Sequence, residues 1–194
     1  MTQVLFFHQL RYDLLALRRN RRSQVFILLL PLLLLCVFVG LYGTDTVEVA
    51  GHQVEANRAS VPGVMSLAVL TGSFMALTMA VVYQREGGIL KRRRAAPVPA
   101  AVLVLSRVVT ATVSSVAAVA VMVVVADAAF GIDPPPGGLL PALFAVIVGS
   151  LCFACCGYAV ASLVTNVESA QPILQFTLLP LQLLSGLYFP MSQL

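Results

Sequence analysis

Long apolar runs alternate with short polar segments along the whole chain. A helix needs about 20 apolar residues to cross a hydrocarbon core of roughly 30 Å, and five uncharged runs have about that length. Within a bilayer the backbone must satisfy its own hydrogen bonds, so each run predicts a helix. The pattern therefore predicts an all-α, polytopic membrane protein with five transmembrane helices. The runs are Val25–Tyr42, Pro62–Gln84, Val108–Ala126, Leu139–Val164 and Ser169–Leu194.

The composition leads to the same class of protein. Of the 194 residues, 59% are hydrophobic and 10% are charged, whereas a soluble domain carries about 25% charged residues. These values exclude an ordinary soluble domain, a disordered chain and a nucleic-acid-binding protein. The length accommodates five or six helices with short loops, so residues 1–194 are expected to form a single transmembrane domain.

Basic residues are concentrated in two segments that the five-helix pattern places on one side of the membrane. Five arginines precede the first run, and six Lys and Arg residues lie from Arg85 to Arg107, which leaves Arg58 as the last of the twelve. Short cytoplasmic loops carry such an excess of Lys and Arg. We therefore predict a multi-pass protein of the inner (cytoplasmic) membrane with a cytoplasmic N-terminus. Five helices put Leu194 outside the cytoplasm, so a sixth helix is expected and the chain is expected to be truncated at its C-terminus.

The segment Gln3–Arg22 has the periodicity of an amphipathic helix. Four apolar residues recur at spacings of three and four, which puts them on one helix face, and most of the arginines lie off that face. One interpretation is an interfacial helix on the inner leaflet, with its arginines at lipid phosphates. The other is a basic anchor that only sets the orientation, and the same charges satisfy both. The apolar residues are Phe7, Leu10, Leu14 and Leu17.

The second basic segment combines a glycine pair, two apolar residues and a run of bases. Gly87 and Gly88 are expected to end the second helix, and Ile89 and Leu90 are apolar residues in a polar loop. A short helix along the membrane that docks a partner is one interpretation. A topogenic loop is the other, and these residues alone favour it, because charge runs in membrane proteins usually set topology. The bases expected to contact lipid phosphates are Arg92, Arg93 and Arg94.

At this segment the sequence resembles the type-2 ABC exporter permeases. The stretch from Arg85-Glu86-Gly87-Gly88 to Ala96-Pro97-Val98 is similar to a signature in the cytoplasmic loop between the second and third helices of that family. A second stretch, from Asn166 to Ser185-Gly186 and Phe189-Pro190, resembles the motif of its fifth helix. The resemblance covers the whole chain and implies six helices in one domain. The family continues past the second motif into a re-entrant hairpin and a sixth helix, which again predicts a C-terminal truncation here.

The resemblance implies a membrane-spanning permease subunit of an ATP-driven exporter. A separate cytoplasmic ABC ATPase would dock beneath residues 85–97, and two permease subunits, identical or different, would form the pathway among the membrane lipids. The charged pair at the start of the loop would make polar contacts with the ATPase, and the apolar pair would fill a groove on it. Apolar, uncharged helices suit a hydrophobic or amphipathic substrate that is drug-like or lipid-like. The coupling residues implied are Arg85, Glu86, Gly87, Gly88, Ile89 and Leu90.

No set of residues predicts a catalytic, cofactor-binding or metal site. His8 and His52 fall on opposite sides of the predicted membrane, and Asp127 is expected to lie at the outer boundary of the third helix. The phosphate-binding pattern GxxxxGK[ST] is not found in the sequence, so the chain is expected not to hydrolyse ATP itself and not to be an enzyme.

The cysteine cluster of the fourth run is expected to serve helix packing. A structural zinc site needs four ligands, and the cluster lacks partners elsewhere. Small residues let neighbouring helices approach closely, so Gly149, Cys152 or Cys156, and Gly157 are expected to face another helix. The cluster itself consists of Cys152, Cys155 and Cys156.

Two other functions remain open from the sequence. One is a membrane anchor or assembly factor that binds partners without transport, and a neighbouring ATPase gene would favour the exporter over it. The other is a proton-coupled secondary carrier. Such a carrier should have several charges near mid-membrane, and the apolar runs contain almost none.

Overall fold

The computed structural model describes residues 2–19, 21–42, 46–49, 52–89, 99–132 and 137–184, and most of these are helical. Two N-terminal helices are followed by a small hairpin and then by the long apolar helices. The elements are α1 (Thr2–Arg19), α2 (Arg21–Tyr42), β1 (Thr46–Val49), β2 (His52–Glu55), α3 (Ala56–Val69), a π-helical segment (Leu70–Met75), α4 (Ala76–Glu86), α5 (Ala100–Phe130), α6 (Leu139–Leu163) and α7 (Val167–Leu184).

The predicted helical class is confirmed, with one addition between the first two apolar runs. Strands β1 and β2 pair antiparallel, with Val47 opposite Val54. Their sequences are short stretches in which valine alternates with polar residues, and this period of two is typical of strands. The pattern of long apolar runs does not predict these strands, because each is only four residues long.

Three helices of the described residues are long and apolar enough to cross a membrane: Val61–Glu86, Ala101–Phe130 and Leu139–Leu163. They confirm apolar helices of spanning length at the second, third and fourth predicted spans. Helix α2 contains a shorter apolar section, Leu28–Gly40, so the first span stays a prediction. The fifth span also stays a prediction, and the end of its run, residues 185–194, lies outside the described residues.

Two apolar clusters pack at opposite ends of the second span. At its start, Val61 and Val64 pack with residues of α2 and with the end of α5, including Leu35 and Met122. At its end, Val82 packs with the end of α6 and the start of α7. The long helices therefore alternate in direction. The end of α4, the start of α5 and the α6–α7 connection lie together at one end of the bundle.

The close helix approach predicted for α6 is confirmed at Gly157 but is wrong for its neighbours within this chain. A Cβ on Gly157 would lie 2.9 Å from Thr78 Oγ1, whereas a Cβ on Gly149 would have no atom within 4 Å. Cys152, Cys155 and Cys156 are exposed. The packed face of α6 follows a different stripe at helical spacing, formed by Ser150, Ala154, Gly157 and Ala161.

Candidate functional site

The predicted coupling residues begin at the end of α4, where the glycine pair forms the turn. Arg85 and Glu86 are the last two residues of the helix. The N–H of Gly87 donates to the carbonyl of Tyr83 at 2.9 Å. Gly88 has a φ of 70°, a left-handed conformation that glycine adopts without steric cost. Four further predicted residues, Leu90 and Arg92 to Arg94, lie outside the described residues.

Ile89 follows this turn and is exposed. Its side chain keeps 44% of its accessible surface, although isoleucine is among the residues most often buried in proteins. The chain thus presents an apolar side chain directly after the glycine turn. The prediction that Ile89 stands out as an apolar residue in the loop agrees with this exposure, and its role in docking stays a prediction.

Arg85 binds the end of α6. One of its terminal nitrogens donates to the carbonyl of Ala161 at 3.1 Å, and the other donates to the carbonyl of Val164. The last carbonyls of a helix have no partner within the helix, and a cation there also interacts favourably with the helix dipole. The planar guanidinium can serve two such acceptors at once.

Glu86 binds the start of α7. Its Oε2 accepts a hydrogen bond from the backbone N–H of Val167 at 2.9 Å. Asn166 caps the same helix, because its Oδ1 accepts from the N–H of Ser169 at 3.0 Å. An anion is favourable at a helix N-terminus. Arg85 and Glu86 therefore hold the α6–α7 connection from both sides, and we call this pair and its backbone partners the Arg85–Glu86 clamp.

Apolar packing supports the clamp from inside the bundle. Val82, one turn before Glu86, is fully buried against Ala161, Val164 and Ala170. One turn further back, Thr78 Oγ1 donates to the carbonyl of Gly157 at 3.1 Å. The end of α4 is thus in continuous contact with the end of α6 and the start of α7.

Helix α1 is attached to the same end of the bundle by a polar cluster that the sequence interpretation missed. Asp13 is 4% exposed, and its carboxylate accepts from Ser106 Oγ at 2.9 Å and lies 3.3 Å from a terminal nitrogen of Arg107. Gln9 donates to the same carboxylate at 3.1 Å. The available signal was that Asp13 is the one acid before the first apolar run.

The packed face of α1 agrees with the predicted apolar stripe except at its first residue. Leu10, Leu14 and Leu17 are half-buried on either side of Asp13, whereas Phe7 is 68% exposed. Arg11 and Arg18 are exposed, as expected of arginines lying off the packed face. Whether α1 lies at a membrane interface stays a prediction.

The remaining polar candidates form no cluster of their own in the described part of the chain. No group of three or more His, Cys, Asp or Glu side chains there could hold a metal ion. Asp127 is exposed in the last turn of α5, where its carbonyl accepts from the N–H of Gly131 at 2.9 Å.

The fold and the site together define a multi-pass helical membrane protein. In it, Arg85 and Glu86 at the end of α4 bind the α6–α7 connection. The family model described as ABC-2 type transporter matches residues 4–194, and the chain belongs to this family. It is therefore an ABC transporter permease, which works with an ABC ATPase subunit. Comparisons with curated proteins and with solved structures gave no match.

Proposed function

We propose that residues 1–194 form the permease domain of an ATP-driven exporter that moves a hydrophobic or amphipathic, drug-like or lipid-like substrate across the cytoplasmic membrane. The observation that carries this proposal is Ile89, an exposed apolar residue held after a glycine turn in the segment that bears the resemblance to exporters. Burial of an isoleucine at a partner surface contributes about 1.5–3 kcal/mol. Ile89, with Leu90 beside it, is the contact that an ATPase groove would cover.

The loop around Ile89 supplies the other parts of the proposed coupling site. Arg85 and Glu86 fix where the loop leaves α4, and Gly87 and Gly88 set its direction. Lys and Arg residues follow directly in the sequence. We propose that Arg92, Arg93 and Arg94 contact the phosphates of inner-leaflet lipids, which attract clusters of bases next to a membrane.

The proposed substrate class follows from the apolar character of the long helices. Large apolar side chains on α6 and α7 are exposed, with Phe144 at 70% and Phe176 at 83%. Such surfaces suit contact with lipid chains and with a substrate taken from the bilayer. A complete pathway is proposed to need two permease subunits, identical or different.

The orientation is proposed from the charges at the clamp end of the bundle. Arg85 and Arg107 lie at this end, α1 is attached there through Asp13, and four further bases follow Leu90 in the sequence. An excess of Lys and Arg in short loops is typical of the cytoplasmic side. The N-terminus, the loop after α4 and the α6–α7 connection are therefore assigned to the cytoplasm.

The test is ATPase docking by the double variant Ile89→Asp/Leu90→Asp. The partner to use is an ABC ATPase encoded beside the gene for this chain, purified together with it from membranes. We expect at least about tenfold weaker binding, which corresponds to a loss of roughly 1.4 kcal/mol. The membrane abundance should stay unchanged, because the bases that hold the loop inside are kept.

The matched control is Ile89→Leu/Leu90→Ile, which keeps apolar side chains of equal volume and should bind like the wild type. Equal binding by the aspartate variant at wild-type abundance would leave this segment as a topogenic loop. An ATPase that fails to bind even the wild-type chain would favour a non-transporting membrane anchor.

A further inference from the structure

We propose that the Arg85–Glu86 clamp transmits motion from the Ile89 loop to α7, so that Arg85 and Glu86 are positioning residues and not docking contacts for the ATPase. This inference rests on the proposed function, because it assumes that an ATPase pushes on the Ile89 loop. It changes the role that the resemblance implies for the charged pair.

Both terminal nitrogens of Arg85 and one carboxylate oxygen of Glu86 are engaged within the chain. Both terminal nitrogens of Arg85 donate to carbonyls at the end of α6, and Glu86 accepts from the first N–H of α7. Hydrogen bonds with a charged partner are roughly twice as strong as neutral ones. An ATPase contact through these groups would have to displace them, so the geometry favours an internal role.

The charges match the two helix ends that they contact. The carbonyl end of α6 carries partial negative charge and faces Arg85, while the N–H end of α7 carries partial positive charge and faces Glu86. Since the two side chains are adjacent in the sequence, one short segment of α4 fixes both ends of the connection.

Close packing makes this contact a stiff one. Val82, Val164 and Ala170 are each 1% exposed or less, and the Thr78–Gly157 hydrogen bond joins the same helices further inside. Close-packed interiors transmit displacement instead of absorbing it. A shift of the end of α4 should therefore carry the start of α7 with it.

The connection itself leaves little slack between α6 and α7. Only Val164, Thr165 and Asn166 lie between the two helices, and the first and last of these are held by hydrogen bonds or packing. On the other side, Ile89 lies directly after the turn that ends α4. A force on Ile89 thus reaches Val167 through Glu86.

The test compares hydrogen exchange of two peptides in the permease–ATPase complex, without nucleotide and with ATP plus vanadate. One peptide contains Ile89 and the other contains residues 165–175. In the wild-type complex both should change exchange on nucleotide addition. In Arg85→Ala/Glu86→Ala the Ile89 peptide should still respond, the α7 peptide should not, and the amount of bound ATPase should stay the same.

Two single variants sharpen this comparison. Glu86→Ala should speed exchange of the Val167 amide roughly tenfold or more, as expected for loss of a hydrogen bond to a charged group. Glu86→Gln keeps an oxygen acceptor and should retain the nucleotide response of α7. Tyr83→Ala removes an exposed side chain from the same turn and is the matched control, expected to behave as wild type. If the double variant does not reach the membrane, the nucleotide responses of the Ile89 peptide and the α7 peptide are compared in Glu86→Ala instead.

Each outcome decides between the two proposals. A nucleotide response of α7 that persists in the alanine variants, or that is missing in the wild type while the Ile89 peptide responds, overturns the transmission role. Loss of ATPase binding in the alanine variants overturns it too, because the pair would then be a docking contact. If the wild-type chain binds no ATPase, or neither wild-type peptide responds to nucleotide, the proposed function itself fails.

Discussion

Gly157 of α6 is tightly packed, whereas Gly149 of the same helix has free space around it. A Cβ on Gly157 would lie 3.1 Å from the carbonyl oxygen of Phe74 as well as 2.9 Å from Thr78 Oγ1. The hydroxyl could rotate, but the Phe74 oxygen belongs to the backbone and cannot move without shifting the second span. A Cβ on Gly149 would meet open space. The same substitution should therefore have different effects at the two positions.

Gly157→Ala should destabilise the protein by about 1–3 kcal/mol, the usual cost of an extra methyl group in a packed interior. Gly149→Ala in the same helix should be neutral or slightly stabilising, since alanine favours a helix more than glycine does. The measurement is the apparent melting temperature of each variant in one detergent. Equal melting temperatures for the two variants would contradict the close approach at Gly157.

The partners of Arg85 and Glu86 show what a sequence pattern leaves out at the residue scale. The sequence located the segment through its resemblance to the permease signature between Arg85 and Val98. Their partners are the carbonyls of Ala161 and Val164 and the N–H of Val167. Every residue has a backbone carbonyl and all but proline have an N–H, so no side-chain pattern could have indicated these contacts.

At the scale of elements, length and apolarity predicted the helices that are long and uniform. Helices α5 and α6 follow directly from their apolar runs. The π-helical segment Leu70–Met75 and the β1–β2 hairpin were not predicted. A π-helix differs from an α-helix only in hydrogen-bond register, and the strands are too short for a criterion based on spanning length.

Helix α1 is held against α5 by the carboxylate of Asp13, and this contact has its own test. Asp13→Ala removes the acceptor for Ser106 and the ion pair with Arg107, and loss of hydrogen bonds to a charged group costs about 1.5–3 kcal/mol. The detached population of α1 should rise at least about tenfold. Trypsin cleavage at Arg11 and Arg18 should then be faster, because cleavage follows the open population.

The matched control for charge is Asp127→Ala, which removes an exposed acid from α5 and should leave trypsin cleavage of α1 unchanged. Asp13→Asn keeps an oxygen acceptor for Ser106 and should fall between the wild type and Asp13→Ala. Identical cleavage rates for Asp13→Ala and the wild type would show that other contacts keep α1 in place.

At the scale of the whole molecule, the sequence gives the weakest indication of membrane side for the α6–α7 connection. It contains no Lys or Arg, and Glu168 is the one charge nearby, so its side followed only from counting spans. The clamp supplies an independent constraint, because Arg85 and Glu86 join the connection to the basic loop after α4. The hydrogen bonds of the clamp and the distribution of basic residues thus assign the α6–α7 connection to the same end of the bundle.

The sidedness of the whole molecule can be tested with single cysteines in a chain whose Cys36, Cys152, Cys155 and Cys156 are replaced by serine. Thr165→Cys in the α6–α7 connection should react with an impermeant thiol reagent only after lysis of the cells, because it lies at the basic end. Gln53→Cys in β2 should react in intact cells. Leu194→Cys, outside the described residues, should also react in intact cells if the fifth run crosses. Protection of Leu194→Cys alone would mean that this run does not span, whereas labelling of Thr165→Cys in intact cells would contradict the orientation.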